Sequence, residues 1–310
     1  HYLLTAYGRA DLQAEVLLGY ALQLLHETPV LPRDAIRRAL SPAVVNGALY
    51  AVRAADGQAL WRRFVGYEYE NVAPQPVPES TPEQWIVCSG HDNAIVCVEA
   101  VSGNVVWRVP LVDRFLPPVA TKDYLYVSTT NGKVLKLDLR TGNGIRQLQL
   151  PQGVTSSVGI SSTGQYLYQA GNQWYLYVLD AEQMTCKEVF LLNHDAGTII
   201  NPPNVQRGLI YVAESKPQNS NVHILSTLQR GWGLERPQPK LTTAGRMTNP
   251  LMTYGRDDVI VSDDLGNVAV LSAIGDEGER PVVQGINAKF QPTEGVIPRM
   301  LMARGGHFFV

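Results

Sequence analysis

The chain has 310 residues, 45% of them apolar and 17% charged, with a formal net charge of −2. That content can fill a large core, and near-neutral charge without a basic patch argues against nucleic acid as a partner. No apolar run approaches the roughly 18 residues that cross a bilayer, so no transmembrane segment is expected in this sequence.

Residues His1–Leu40 differ in pattern from the rest of the chain. Tyr2–Ala6 is a short apolar run ended by Gly8, and Asp11 suits an N-cap for Leu12–His26, which is made almost wholly of helix formers. Leu17, Leu18, Ala21, Leu24 and Leu25 give that helix one wide apolar face. Thr28–Pro29 ends it, and Pro32 separates a second short helical piece, Arg33–Leu40. Two domains are expected: a helical segment over 1–40 and an all-β domain over 41–310.

From Ser41 onward one pattern recurs. Its clearest copy is Tyr124–Gly142, in which Tyr124–Val127 and Val134–Leu137 flank Asn131-Gly132. Asn-Gly predicts a two-residue type I′ hairpin, and Arg140-Thr141-Gly142 predicts a second turn into a third strand over Ile145–Leu150. Shifted back by about 39 residues, the block falls without gaps on Trp85–Gly103. Asp92-Asn93 then sits at the turn. Shifted forward by about 42, it falls on Tyr166–Met184, with Asp180 over Asp138 and Met184 in place of the closing Gly142. Shifted by about 134, it falls on Asp258–Asp276, with Gly266 over Gly132. A looser copy runs over Leu209–Gly231 with its hairpin loop lengthened to Lys216–Ser220.

Each copy has an upstream run fit for an innermost strand: Pro117–Thr121, Val154–Ser161, Asn201–Gln206, Asn249–Thr253 and Val296–Met302. Four strands per repeat of about 40 residues predicts an all-β fold, a β-propeller of four-stranded antiparallel blades. About five full blades and pieces at both ends are legible, out of seven or eight for a closed ring. The first repeat shows no second strand, because Gly47 passes directly into Leu49–Val52. An unclosed ring leaves raw β-edges, so the chain alone is expected to aggregate or oligomerise. Because the sequence begins without Met and stops within a strand-like run, it reads as a fragment.

Two segments resemble known families. HYLLTAYG, followed by the helix and LLHETPVLPRDAI, resembles part of the N-terminal domain of tail-terminator or cap proteins of contractile injection systems. That likeness covers about 36 residues, all before Leu40, and implies a fusion or a join near codon 40. From Ser41 to Val310 the chain resembles the pyrroloquinoline-quinone (PQQ)-like, quinoprotein-dehydrogenase-like propellers of bacteria, whose repeat reads Ala-x-Asp-x-x-Thr-Gly-x-x-x-Trp. Asp138, Thr141 and Gly142 match it, Glu99, Ser102, Gly103 and Trp107 match conservatively, and Gly57 and Trp61 match. The resemblance implies that the glycine closes a tight turn and that Trp61 and Trp107 pack between blades. It also implies a periplasmic or cell-envelope location. The structural repeat positions are thus Gly57, Trp61, Gly103, Trp107, Gly132, Asp138, Gly142, Asp180 and Gly266.

Active members of that family combine a calcium site of Glu, Asn and Asp with a catalytic Asp and often a pair of adjacent cysteines. Here Cys88, Cys97 and Cys186 are never adjacent. If Asp92-Asn93 were a two-residue turn, Cys88 would stand opposite Cys97 at about 4.5 Å between Cα atoms, leaving either two buried thiols or a bridge. Asp263–Asn267 lacks the alternating oxygen ligands of a calcium loop and reads as a turn. The six histidines show no metal-ligand spacing, and nucleophile-elbow, GxGxxG and P-loop patterns are absent.

No catalytic, metal or cofactor site is therefore expected, and no cofactor. The leading reading is a non-enzymatic propeller scaffold whose partners are other proteins, met through loops such as Val72–Gln84 and Lys216–Ser220. A PQQ-dependent dehydrogenase is one alternative, and a structural part of a contractile injection system, resting on residues 1–40 alone, is another.

Overall fold

The computed structural model describes residues 2–6, 48–52, 58–64, 75–80, 82–89, 93–227, 232–237, 239–254, 257–274, 282–289, 302–304 and 307–309. The helices expected over Leu12–His26 and Arg33–Leu40, together with Gly57 and residues 296–301, lie outside them. Two compact units are present: His1–Leu125 with Leu137–Gly144, and Tyr126–Lys136 with Ile145–Val310.

In the first unit, β1 (Tyr2–Ala6), β2 (Ala48–Val52) and β3 (Ala59–Phe64) form a sheet in that order. The run Tyr2–Ala6 thus supplies the neighbour that the repeat itself does not provide for Ala48–Val52, in antiparallel register from Tyr2↔Val52 to Ala6↔Ala48. Next comes the meander β4 (Gln75–Pro76), β5 (Gln84–Ser89), β6 (Ala94–Glu99) and β7 (Val105–Pro110). A third sheet, whose residues are divided between the two units, joins β8 (Val119–Ala120), β9 (Tyr124–Ser128), β10 (Lys133–Asp138) and β11 (Gly144–Gln149).

The second unit continues with three more meanders. They are β12 (Gly159–Ile160), β13 (Tyr166–Ala170), β14 (Tyr175–Asp180), β15 (Thr185–Leu191); β16 (Asn204–Gln206), β17 (Leu209–Glu214), β18 (Ser220–Ser226), β19 (Leu241–Thr243); and β20 (Met252–Tyr254), β21 (Asp258–Ser262), β22 (Asn267–Ile274), β23 (Val282–Lys289). A last pair, β24 (Met302–Arg304) and β25 (His307–Phe309), completes the strand order.

Burial explains the sequence pattern. The two middle strands of a blade are covered on both faces, so they read as unbroken apolar runs rather than alternating ones. Every residue of β17 and of β18 is buried. In the second unit Tyr168, Leu176 and Val178 pack with Ile210, Val212 and Leu225, and Tyr211, Ala213 and Ile224 pack with Val259, Val261 and Leu271. Each of the Leu, Ile and Val side chains among them contributes about 1.5–3 kcal/mol on burial. Outer strands, by contrast, are mostly exposed, as β11 and β15 show.

The hairpins differ from the two-residue turn expected at Asn131-Gly132. Gly132 N–H donates to Thr129 O and Thr129 N–H to Lys133 O, so the loop holds three residues, Thr130-Asn131-Gly132. Asn131 keeps negative φ and only Gly132 is left-handed, at +88°, which makes a type I turn closed by a bulge. Asp263–Asn267 repeats this geometry, with Gly266 in the same place, and so is a turn.

The hairpin of β5 and β6 is longer still. Ser89 pairs with Ala94, which places Cys88 opposite Ile95 and Cys97 opposite Ile86. The expected facing of Cys88 and Cys97 is corrected by this two-residue offset, and Cys97 is a free, buried thiol whose pKa burial pushes up to about 12. Within the expected loop Val72–Gln84, the described residues 75–80 and 82–84 hold β4 and the buried Val77, whose N–H donates to Gln84 O.

The last loop residue of each hairpin between the second and third strands is left-handed: Asn93 (+47°), Gly132, Trp174 (+65°), Asn219 (+57°) and Gly266 (+80°). Asn and Gly adopt that conformation readily, whereas a bulky side chain is strained there. Trp174 is held by three backbone hydrogen bonds, from its N–H to His194 O and to its carbonyl from the Leu192 and Asn193 N–H groups. Trp174→Gly should relieve that strain and raise stability by about 1 kcal/mol, seen as a higher urea midpoint. A lower midpoint would show that the indole's contacts outweigh the strain.

Candidate functional site

A recurrent clasp positions the turns between third and fourth strands. In the first unit Trp61 Nε1 donates to Ala100 O and Trp107 Nε1 to Leu139 O, each at 2.8 Å. The accepting carbonyl follows Glu99 in one copy and Asp138 in the other, and the Trp rings lie on Gly103 and Gly142. Asp138 caps its own turn, accepting from Arg140 N–H, Thr141 N–H and Thr141 Oγ1. Burial opposes ionisation of that carboxyl, but these donors outweigh it and hold its pKa below the usual value.

In the second unit the equivalent carbonyl, Ala181 O, follows Asp180. Here the donors are Lys136 Nζ at 2.9 Å and Tyr126 OH at 3.4 Å rather than an indole. Burial lowers the Lys136 pKa. Asp180 accepts from Gln183 and Glu182 N–H and pairs with Lys187, which keeps its pKa low. Met184 holds the left-handed turn position, at +54°, without glycine.

The most charged constellation lies at the hairpin of β17 and β18. Strand period two and the pairs Glu214↔Asn221 and Val212↔His223 set Glu214, Asn221 and His223 on one face. Glu214 is 1% exposed and receives Asn221 Nδ2 (2.8 Å), Lys216 Nζ (2.9 Å), His223 Nε2 (3.1 Å) and Asp195 N–H (3.3 Å). Lys216 also reaches Asp195 Oδ2 at 2.6 Å, tying the loop Ser215–Asn219 to the connector after β15. Ser215 N–H adds a bond to Thr198 O, and Ser220 Oγ bridges both backbone groups of Lys216.

Burial alone would raise the Glu214 pKa, yet the donors reverse it and drive it far below the usual carboxylate range. Its two anionic partners raise the Lys216 pKa, Asp195 first. His194, buried beside this group, is pulled down chiefly by desolvation. Both Glu214 oxygens are occupied by donors from the chain itself, so the carboxylate fixes the loop. Pro217, Gln218 and Asn219 form its exposed tip.

The repeat positions Trp61, Gly103, Trp107, Asp138 and Gly142 gather at clasps in the first unit, while Gly132, Asp180 and Gly266 sit in separate turns of their sheets. The Glu214 network was missed in the sequence. Its signal was Glu214, Asn221 and His223 interrupting strands that are otherwise apolar. Trp174 had a clearer signal, since the gapless shift sets it over Gly132. Among the described residues, no group of three or more His, Cys, Asp or Glu could hold a metal, and no helix is long and apolar enough to cross a membrane.

Residues 30–148 match the family model described as outer membrane protein assembly factor BamB. Among solved structures, BamB from Moraxella catarrhalis is similar at 16% identity and a TM-score of 0.51, over 73% of this chain and 64% of that one. Sqt1 from Saccharomyces cerevisiae is similar at 13% identity and a TM-score of 0.53, over 80% of this chain and 67% of that one. The chain therefore spans less than two thirds of the length of that BamB. No curated protein matches the sequence. The likeness shows the fold, a β-propeller of four-stranded antiparallel blades.

Proposed function

We propose that this chain, whose repeats are of the PQQ-like β-propeller type, is a non-enzymatic scaffold that binds another protein through the Ser215–Asn219 loop between β17 and β18. The observation that carries this reading is the Glu214 network. A buried carboxylate with four internal donors holds the Ser215–Asn219 tip rigid, and a preorganised loop loses little entropy on binding. The same commitment takes the most perturbed acid of this region out of proton-transfer chemistry. The matched family model is described as an assembly factor, which agrees with a role in handling other proteins.

The test pairs capture with catalysis. Full-length chain carrying Pro217→Gly and Gln218→Ser should keep its circular dichroism spectrum and urea midpoint but lose a partner that the unaltered chain retains from its native extract by at least about tenfold. Undiminished retention would remove the loop from the binding surface. Dye reduction on addition of pyrroloquinoline quinone and calcium should stay at background; quinone-dependent turnover would overturn the non-enzymatic reading in favour of a dehydrogenase.

A further inference from the structure

We propose that the outer edge of β15 is a second interaction surface, which takes an extended, aliphatic segment of a partner protein as a fifth strand of that sheet. The order β12-β13-β14-β15 leaves β15 with one unpaired side. Leu192 N–H donates to Trp174 O at the end of the β14–β15 ladder, and antiparallel alternation then turns the backbone groups of Phe190 inward and those of Val189 and Leu191 outward. Among the described residues, no backbone group bonds to these outward positions.

Their side chains are open as well, Val189 at 53% and Leu191 at 59%, facing the side of the sheet that carries Tyr175 and Tyr177. The opposite face is already covered. Arg236 stacks over Phe190 and donates to Leu192 O, and Leu234 N–H donates to Glu188.

Edges of this kind are normally blunted by charge, proline or a bulge. Three other outer strands comply: β3 carries Arg62 and Arg63, β7 carries Arg108 and ends in Pro110, and β11 carries Arg146, Gln147 and Gln149. In β15 the protection is confined to the first half, where the register shifts beside Lys187. Val189-Phe190-Leu191 has none. An unprotected edge, three residues long and apolar on its open face, fits a strand whose alternate side chains are aliphatic.

Trp174 marks the end of this edge. Its ring is half exposed and edge-on to Tyr175 at 6.3 Å. Four sister hairpins put Asn or Gly where this strained Trp stands, so the strain is maintained for a side chain that packing alone does not require. Trp, with Tyr and Arg, is enriched among the residues that carry the binding energy of protein interfaces.

The probe is a fluorescein-labelled heptapeptide of alternating threonine and valine, offered to the full chain, with its fully N-methylated counterpart as control. The unmodified peptide should raise anisotropy saturably and slow amide exchange at Val189 and Leu191, and the N-methylated one should not. Val189→Lys with Leu191→Lys, both on exposed positions, should weaken binding at least about tenfold, and Trp174→Gly should weaken it while raising stability. The Pro217→Gly, Gln218→Ser chain should bind the peptide normally, which separates this surface from the hairpin-loop surface. Absence of binding, equal binding of the N-methylated peptide, or indifference to the double lysine variant would each overturn the proposal.

Discussion

Trp107→Ala is expected to destabilise the unit that contains it by about 3–5 kcal/mol, read as a fall in the urea midpoint with little change in slope. The ring is 8% exposed, lies on Gly142 and donates to Leu139 O at 2.8 Å, so truncation empties a packed site and strands a carbonyl. Two further variants separate those losses. Trp107→Phe keeps most of the ring but removes the donor, at a cost of about 1–3 kcal/mol. Gly142→Ala keeps the Trp but sets a methyl group 2.8 Å from its ring, at a φ of +74°. A loss below about 1 kcal/mol for Trp107→Ala would mean that the clasp contributes little beyond ordinary surface contact.

The same clasp shows why parts of the molecule were legible. Trp61, Trp107, Gly103 and Gly142 recur at fixed spacing because a ring, its acceptor carbonyl and a left-handed turn must coincide, and no other residue set meets all three demands as cheaply. Where Arg146 replaces the Trp, the acceptor Ala181 O recruits Lys136 from a different strand, and no spacing in the sequence announces that. The blade count and the middle strands were legible for a related reason: burial on both faces enforces apolar runs. The innermost strands were placed but overextended, since only two or three residues of each pair with the next strand.

Hairpin geometry was harder to read. Asn131-Gly132 is compatible with both a two-residue and a three-residue loop, and the choice was made by Thr129, whose Oγ1 accepts from Lys133 N–H. Asp263 does the same for Asn267 N–H in the sister turn. One blade earlier Asn93 is left-handed and its side chain donates to Leu111 O and Asp113 O, contacts that no local spacing announces. Long-range polar networks such as that of Glu214 join residues from two connectors and two strands. They become visible only when those elements are assembled.

Glu214→Ala should cost about 3–5 kcal/mol, because it leaves Lys216, His223 and Asn221 facing a site without their acceptor. Glu214→Gln keeps the shape but turns an amide donor toward those same donors, so most of the loss should persist. The pH dependence identifies the charge as the cause. The folded-state pKa of Glu214 is depressed, so its stabilisation is fully present above the unfolded carboxyl value of about 4.3 and is lost as pH falls below that value. The gap in midpoint between the unaltered chain and Glu214→Gln should therefore shrink steadily below about pH 4.3. His194 acts in a different window: its pKa is lowered in the fold, so the unfolded chain takes up a proton first and stability falls once pH drops through about 6.5. Because the Glu214 charge raises the His194 pKa, Glu214→Gln deepens that loss, and the difference is therefore read below about pH 4.3, where Glu214 itself titrates. A gap that stayed constant down to about pH 3 would show that the folded Glu214 titrates no differently from the unfolded one, and the loop would then owe its rigidity to the Thr198 and Ser220 hydrogen bonds instead.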